Sequence, residues 1–316
     1  MIFTGTPKFT VNGNWSVHEE GPKALISFAC EADRLGYDAI RIIDHVIGVN
    51  IKRHPQLPPT PYTSDSKFPE VFTLMAYLSA VTKNIKLLSG VIGLPQRQTA
   101  LVAKQTAEID NLSDGRLILG VGVGYNPIEF LSMGANFKNR GMLVEEQVVL
   151  LRKLWTQDEV TFTGDWHDFQ SININPLPIQ RPIPIWMGAG RTAQPVPPRK
   201  ILRRIGKLAD GFMPLFQINK ATHKLEEDAL AAIRSIHESA DESGRTSIII
   251  DMEMSLFTDG KSTNQIHDEI YYLNSLGASH IHFRPGATTL NAQLDAIEQL
   301  ASVRDTYITN AGVLRK

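Results

Sequence analysis

The amino-acid sequence predicts an α/β protein, a closed (β/α)8 TIM barrel with a hairpin insertion. Two observations predict this fold: short apolar runs alternate with amphipathic helical segments, and eight such strand–helix units fit within 316 residues. Alternation of strands and helices favours a parallel sheet with crossover helices. Eight units in a chain of this length favour a barrel over an open sheet. We therefore predict a single barrel domain over residues 1–316, with an insertion at about 157–181.

Strands are predicted where a short apolar run lies between turn residues. Those runs are 2–4, 39–43, 85–91, a run starting at 117, 183–187, 211–213, 247–257 and 280–283. Helices are predicted where apolar residues recur at helical spacing, with a glycine stop at Gly36 and Gly277. Those segments are 22–35, 69–82, 98–112, 140–155, 200–208, 220–243, 263–276 and 290–303, with a further helix beginning at Pro127.

Two segments interrupt the repeating pattern. Residues 48–67 form a long loop rich in proline and threonine, and loops of that length are usually functional or mobile. Residues 159–175 alternate apolar and polar side chains around Gly164 and Asp165, which indicates a β-hairpin. We predict that this hairpin lies outside the barrel repeat.

Composition narrows the class of protein. A formal net charge of -1 gives no electrostatic reason to expect nucleic acid or an anionic membrane as a partner. No apolar run is long enough to span a bilayer, and the first residues lack the pattern of a signal peptide. The single cysteine, Cys30, cannot form an internal disulfide. We therefore expect a cytoplasmic protein that acts on a small molecule.

A glycine-rich stretch follows the apolar run at Leu117. Gly120, Gly122 and Gly124 alternate with valines, and glycine weakens a strand unless something must approach the backbone closely. These positions favour a site for a flat ligand or a phosphate, and the alternative is that small residues let a helix pack closely. Tyr125 stands where the dinucleotide fingerprint requires a third glycine, so this is not a Rossmann motif.

In a (β/α)8 barrel the active site lies at the carboxyl ends of the strands. Applied to the predicted strands, this rule selects Asp44, His45, Gly90, Val91, Gly122, Gly124, Tyr125, Glu129, Gly188, Ala189, Gly190, Arg191, Met213 and Arg284. Within this set His45 is the candidate catalytic residue, because an imidazole can accept or donate a proton near neutral pH. The alternative for His45 is a hydrogen-bonding role at the strand end.

Two arginines are candidates for holding a phosphate. Arg191 follows Gly188, Ala189 and Gly190, and backbone N–H groups in a glycine turn beside an arginine suit a phosphate. Arg284 ends the last predicted strand, close to where barrels often bind phosphate. The alternative for both arginines is an ion pair at the surface.

His280 and His282 form a His-x-His pair on one face of the last predicted strand. That spacing can bind a metal, and it keeps a metal-dependent barrel hydrolase as an alternative function. Such sites also need carboxylate and histidine ligands at other strand ends, and the sequence offers no convincing set. We therefore predict no metal site and expect both rings to pack against a helix.

Several motifs together resemble one family, the bacterial luciferase-like superfamily. They are LGYDAIRIIDHV, LLSGVIGLPQRQTALVAKQTAEIDNLSDGRLILGVGVGYNPIEF, PIPIWMGAGR and KLADGFMP, and the resemblance covers nearly the whole chain from residue 22. It implies a barrel that binds coenzyme F-420 or FMN at the strand ends, with His45 of the Asp44–His45 pair near the reactive ring. It also implies a cis peptide bond at Gly90–Val91 behind that ring, and a phosphate at Gly188–Arg191.

The resemblance also implies an activity and an assembly. Relatives are oxidoreductases that transfer hydride or oxygenate a small organic substrate, and they commonly pair as homodimers through helices of the first half, here residues 69–112. Deazaflavin sugar-phosphate dehydrogenases of the family carry a catalytic Glu where this chain has Tyr125, so their particular reaction is not implied. The 48–67 loop is a candidate lid, and Trp15, Tyr62 and Phe68 are candidates for the substrate side. A non-catalytic flavin-binding protein is the remaining alternative.

Overall fold

The computed structural model describes residues 3–12, 20–58, 60, 62–191, 193–246 and 249–314. Its strands are β1 Lys8–Asn12, β2 Ala39–Ile42, β3 Lys86–Ser89, β4 Ile92–Gly93, β5 Leu117–Gly122, β6 Val160–Thr163, β7 Asp168–Ile172, β8 Ile185–Ala189, β9 Gly211–Pro214, β10 Asp251–Phe257 and β11 His280–Arg284. Its helices are α1 Pro22–Arg34, α2 Val71–Val81, α3 Thr99–Leu112, α4 Pro127–Ser132, α5 Arg140–Thr156, α6 Arg199–Leu208, α7 Glu227–Glu242, α8 Thr263–Ser275 and α9 Leu290–Leu314.

The order of elements is that of the predicted (β/α)8 class. When β4 is counted as the continuation of β3, parallel strands alternate with helices, and the antiparallel pair β6–β7 stands apart as its own small sheet. The contacts divide the chain into two compact units. The first consists of Met1–Arg41, Asn84–Lys86 and Trp186–Lys316, and the second of Ile42–Lys83 and Leu87–Ile185.

The first unit contains a parallel sheet in the order β2, β1, β11, β10, β9, β8. Alternate side chains along its strands point to opposite faces. Phe9 and Phe283 lie on the apolar face, where their ring centroids are 5.3 Å apart and both rings are buried. The opposite face is polar, and it carries the paired positions Thr10 and His282.

Charged and polar groups on that face contact one another. Arg41 donates to Glu253 at 2.9 Å, and the Glu253 side chain has no exposed surface. Burial raises the pKa of Glu253, and the Arg41 guanidinium opposes that rise. His282 contacts Asn12 at 3.1 Å and Ser255 at 3.2 Å. A buried ion pair with hydrogen-bonded neighbours is therefore part of the interior of this unit.

The second unit contains β3, β4 and β5, which pair in parallel. Ser89 joins two of them, because its hydroxyl donates to the Gly120 carbonyl at 2.9 Å and accepts from the Gly120 amide at 2.8 Å. The predicted hairpin is confirmed as β6–β7, within residues 159–175. Glu146 of α5 holds its turn by accepting from the amides of Asp165 and Trp166, at 2.7 and 3.1 Å.

Three predicted boundaries were wrong. The first strand is Lys8–Asn12 rather than 2–4, of which Ile2 lies outside the described residues. Helix α7 begins at Glu227 rather than 220, because Asn219 Oδ1 accepts from the amides of Ala221 and Thr222 and forms a local turn instead. Helix α9 continues to Leu314 rather than ending at 303.

Strand β10 begins at Asp251. Residues 247 and 248, which belonged to the predicted strand, lie outside the described residues. Among the helices of the described ranges, none is both long and apolar enough to cross a membrane.

The buried histidines of β11 predict an acid-dependent stability. Burial, helped by Lys8 and Lys86, lowers the pKa of His280 to about 3. Since an unfolded histidine has a pKa of about 6.5, the unfolded state alone binds this proton between the two values, and stability falls as the pH is lowered. We expect His280→Asn to flatten the curve of unfolding free energy against pH by about 1.4 kcal/mol per pH unit in this range.

Denaturant titrations at several pH values measure this slope. The matched control is His223→Asn, because the His223 side chain is 61% exposed and should leave the slope unchanged. Equal slopes for wild type and His280→Asn would contradict a lowered pKa of His280 in the folded protein.

Candidate active site

His45 lies in the second unit, three residues after the end of β2. Aromatic rings surround its imidazole: the ring centroids of Tyr62, Phe68 and Tyr125 lie 4.8, 5.0 and 6.0 Å away. Only 12% of the His45 side chain is exposed. Tyr62 and Phe68 come from the long loop and its end, so that segment covers the imidazole. Their role on the substrate side stays a prediction, with anchoring of the loop as the alternative. Trp15, the third aromatic residue predicted there, lies outside the described residues.

The His45 imidazole faces a buried carboxylate. Its Nδ1 is 3.6 Å from Glu129 Oε1, longer than a hydrogen bond but within ion-pair range. Glu129 also accepts from the Val46 amide at 2.9 Å and from the Gln96 side-chain amide at 3.1 Å. Burial alone would raise the pKa of Glu129, but His45, Val46 and Gln96 together lower it below its ordinary value. The site therefore contains an ionised carboxylate beside an imidazole.

Local sequence places Glu129 in the first turn of α4. Asn126 caps this helix, since its Oδ1 accepts from the amide of Ile128 at 3.0 Å, and Pro127 is its first residue. Glu129 was among the strand-end residues selected from sequence, without a role. The partners that lower its pKa come from other elements, so only the folded chain reveals its pairing with His45.

Asp44 was predicted to bind the cofactor, and the structure gives its carboxylate another partner. Arg97 Nη2 donates to both oxygens of Asp44, at 2.9 and 3.0 Å. The Arg97 guanidinium also lies over the Phe72 ring, 5.2 Å from the centroid. Burial raises the pKa of Asp44, and Arg97 opposes that rise. The pair fixes the backbone next to His45, and a role of Asp44 in cofactor binding stays a prediction.

The segment that supplies Gln96 and Arg97 is itself held in place. Gln147 of α5 donates to the carbonyl of Arg97 and to the hydroxyl of Thr99, both at 3.1 Å. His167, in the hairpin turn, contacts Thr99 at 2.6 Å and Glu146 at 2.6 Å. The hairpin and α5 thus support the residues that hold Glu129 and Asp44. No sequence pattern signals this support, because Gln147 and His167 lie 48 and 68 residues from Thr99.

Gly122 and Gly124, which were predicted to bind a ligand, pack against side chains of this chain. The Gly90–Val91 peptide bond is cis, as the resemblance implied. A Cβ at Gly122 would lie 2.8 Å from Val91 Cγ2, and one at Gly124, where φ is +70°, would lie 2.7 Å from the Phe130 ring. At these two positions the missing side chains make room for other side chains of the chain, which is the close-packing alternative. Binding of a ligand at these glycines stays a prediction.

His45 and Tyr125 border a small cleft within the second unit. The Thr60 and Tyr125 hydroxyls are 3.1 Å apart and join the long loop to the end of β5. Burial raises the pKa of Tyr125, so its phenol stays neutral at physiological pH. The described residues that line this cleft are His45, Ile47, Gly48, Val49, Ile51, Leu57, Thr60, Tyr62, Thr63, Phe68, Tyr125 and Asn126.

The predicted phosphate residues lie in the first unit. Gly188 and Ala189 end β8, and Gly190 has a φ of +100°. The Arg191 amide donates to the Gln194 carbonyl at 2.9 Å, so this amide is used within the turn. Arg284 ends β11, and its guanidinium lies 4.8 Å from the centroid of the Phe257 ring. A phosphate at Gly188–Arg191 and Arg284 stays a prediction.

The His-x-His pair does not belong to a metal-ligand set in the described part of the chain. No three His, Cys, Asp or Glu side chains there are grouped as a metal would require. His280 packs edge-on against Trp186, with centroids 4.7 Å apart, and His282 is hydrogen-bonded by Asn12 and Ser255. The structure offers no support for the metal-dependent hydrolase.

Comparison with known proteins identifies the class. A family model described as luciferase-like monooxygenase matches residues 5–258. The chain therefore belongs to the luciferase-like monooxygenase family, a class of oxidoreductases.

Individual relatives match only part of the chain, at 34% identity or below in the two examples that follow. The chain is 34% identical over 204 residues to an uncharacterized protein of Mycobacterium tuberculosis, a match covering 60% of this chain and 64% of that protein. It is 29% identical over 202 residues to the F420-dependent glucose-6-phosphate dehydrogenase of Amycolatopsis mediterranei, covering 63% of this chain and 55% of the relative. The matches thus span between about half and two thirds of the length of these relatives.

Solved structures share the fold, a closed (β/α)8 barrel. An F420-dependent secondary alcohol dehydrogenase in complex with an F420-acetone adduct matches with a TM-score of 0.73 and 15% identity, covering 95% of this chain and 99% of the other. The EDTA monooxygenase of Chelativorans sp. BNC1 matches with a TM-score of 0.73 and 13% identity, covering 96% and 94%. The predicted fold class is confirmed.

The buried Asp44–Arg97 pair predicts a large and specific stability effect. Arg97→Met leaves the Asp44 carboxylate, whose side chain is 3% exposed, without its counter-ion. Removing one partner of a buried pair typically costs about 3–5 kcal/mol. We expect Arg97→Met to lower the free energy of unfolding by about that amount, and the double variant Asp44→Asn/Arg97→Met to recover much of the loss.

Urea unfolding of both single variants and the double variant measures the coupling. Arg34→Met is the control, since the Arg34 side chain is 63% exposed in its pair with Glu31 and its loss should leave the free energy of unfolding nearly unchanged. If the double variant loses as much free energy of unfolding as the two single variants together, Asp44 and Arg97 are not energetically coupled.

Proposed function

We propose that this chain is an oxidoreductase that uses coenzyme F-420 or FMN to transfer hydride to or from a small organic substrate, or to oxygenate it. The observation that carries the proposal is the His45–Glu129 pair, enclosed by aromatic rings and beside the cleft. Family membership supports a redox reaction. The names of relatives and structural neighbours support an F-420 or flavin-type cofactor.

The residues beside the cis peptide bond fit a flat ring. Val91 is a partly exposed apolar side chain, and its Cγ2 packs into the space that a side chain at Gly122 would fill. An apolar side chain fixed in this way suits contact with the face of a planar ring, which would cover it. Val91 would therefore support the ring of the cofactor.

The cofactor would supply hydride exchange, with oxygen chemistry added in the case of FMN. The residues of this chain would supply proton transfer and a dry environment. His45 would take a proton from, or give one to, the substrate oxygen through one imidazole nitrogen. Glu129 would orient the ring from its Nδ1 side and stabilise the imidazolium. Tyr62, Phe68 and Tyr125 would exclude water around it.

Cofactor binding and catalysis are tested separately. In anaerobic titrations followed by absorbance, we expect saturable binding of coenzyme F-420 or of FMN. His45→Ala should bind that cofactor with similar affinity but lose about 10²–10⁴-fold in turnover with a panel of alcohols and aldehydes, because proton transfer is removed. His54→Ala, in the same loop but absent from the cleft lining, is the matched control.

Binding of neither cofactor would sink the proposal. Cofactor binding with turnover unaffected by His45→Ala would instead favour the non-catalytic flavin-binding alternative.

We also propose that the chain forms a homodimer through α2 and α3. Large apolar side chains on these helices are exposed, with Tyr77 at 54%, Leu101 at 52% and Leu112 at 55%. Exposed apolar groups on neighbouring helices are typical of an interaction surface, and the resemblance implied a dimer through residues 69–112. A cytoplasmic location stays a prediction.

Sedimentation equilibrium tests the dimer. The double variant Leu101→Lys/Leu112→Lys should convert a dimeric wild type to monomer, because burying two lysines would cost several kcal/mol. Leu131→Lys, at a position 76% exposed on α4, is the control and should leave the mass unchanged. A wild-type chain that sediments as a monomer would contradict this proposal.

A further inference from the structure

We infer that the substrate is neutral and mainly apolar, an inference that rests on the proposed function and narrows it. None of the described residues lining the cleft is a lysine, arginine, aspartate or glutamate. Its ionisable side chains are His45, Tyr62 and Tyr125, and the burial-raised pKa of Tyr125 keeps that phenol neutral. Ile47, Val49, Ile51, Leu57 and Phe68 supply apolar surface.

The polar groups of the lining are largely engaged by the chain. The Thr60 hydroxyl contacts Tyr125 at 3.1 Å and accepts from the Tyr62 amide at 3.2 Å. Asn126 Oδ1 caps α4 by accepting from Ile128 at 3.0 Å. The Thr60 hydroxyl and Asn126 Oδ1 are therefore not free to bind a sugar, whose hydroxyl groups would each need a partner on leaving water.

Nearby cations are not arranged to receive an anion in the cleft. Arg97 is engaged by both oxygens of Asp44 and does not line the cleft. Lys52 and Arg53 are exposed, and in their short 3-10 helix Ile51 is the residue that lines the cleft. Apart from the His45 imidazole, which faces the Glu129 carboxylate, an anion desolvated here would lack the paired cation that buried charges require. A phosphorylated sugar, such as the one named for the Amycolatopsis mediterranei relative, does not fit this lining.

A set of small molecules that differ in charge and in chain length tests the inferred substrate class. Dissociation constants for 1-butanol, 1-hexanol, 1-octanol, hexanoate and glucose 6-phosphate are measured on the cofactor-bound protein by saturation-transfer NMR. We expect affinity to rise about fourfold per methylene along the alcohols, the factor that corresponds to burying a CH2 group. Hexanoate should bind at least tenfold more weakly than 1-hexanol, and glucose 6-phosphate should show no binding.

A charge introduced into the lining provides the second test. Ile51 lines the cleft and is half-buried, so Ile51→Lys places an ammonium at its edge without emptying a core position. We expect the affinity for hexanoate to rise about fivefold, the effect of one partly exposed ion pair, while the affinity for 1-octanol falls. Ile249→Lys is the matched control, since Ile249 is 45% exposed and outside the lining.

The outcomes separate the two proposals. If the cofactor binds but hexanoate or glucose 6-phosphate binds more tightly than 1-hexanol, the substrate class is overturned and the proposed function stands. The substrate class is also overturned if the dissociation constants of the alcohols do not change with chain length, or if 1-octanol does not bind up to its solubility. If neither cofactor binds, the proposed function fails.

Discussion

The buried Glu129 carboxylate is the group on which the rest of the site depends. A charge with so little exposed surface persists only when it is paired and hydrogen-bonded, and Glu129 has the His45 imidazole, the Val46 amide and the Gln96 side chain. One of these partners is the candidate catalytic residue, and another comes from a segment held by α5 and the hairpin. The hairpin therefore contributes to the site although it lies outside the barrel repeat.

Asp44 and His45 are neighbours in sequence, yet each has its own buried partner. Arg97 binds the first through both carboxylate oxygens, and Glu129 faces the second. Two such constraints on consecutive residues fix the backbone where the chain leaves β2, which limits the positions open to the imidazole. Preorganisation of this kind is what proton transfer requires, because a misplaced general base is far less effective. The Tyr62 and Phe68 rings then cover the imidazole.

The first unit shows why the His-x-His pattern was ambiguous. Alternate residues of β11 share one face, so the spacing suits either a metal or a polar interior. Neighbouring strands decide the outcome: they place Asn12 and Ser255 on His282 and Trp186 on His280. Burial lowers the pKa values of both imidazoles, helped by Lys8 and Lys86 at His280 and by Arg41 and Arg284 at His282.

Sequence periodicity by itself determined the order of strands and helices, the barrel class, the hairpin and the strand-end position of His45, because these depend on spacing between near neighbours. Boundaries failed where local hydrogen bonds competed, as at Asn219. Tertiary structure alone decided that Glu129 pairs with His45 across 84 residues and Arg97 with Asp44 across 53. It also decided that Val91 and Phe130 fill the space left by Gly122 and Gly124. The physical reason is that the groups that pair with buried charges, and the side chains that fill the space beside glycines, come from residues distant in the chain. No local pattern specifies them.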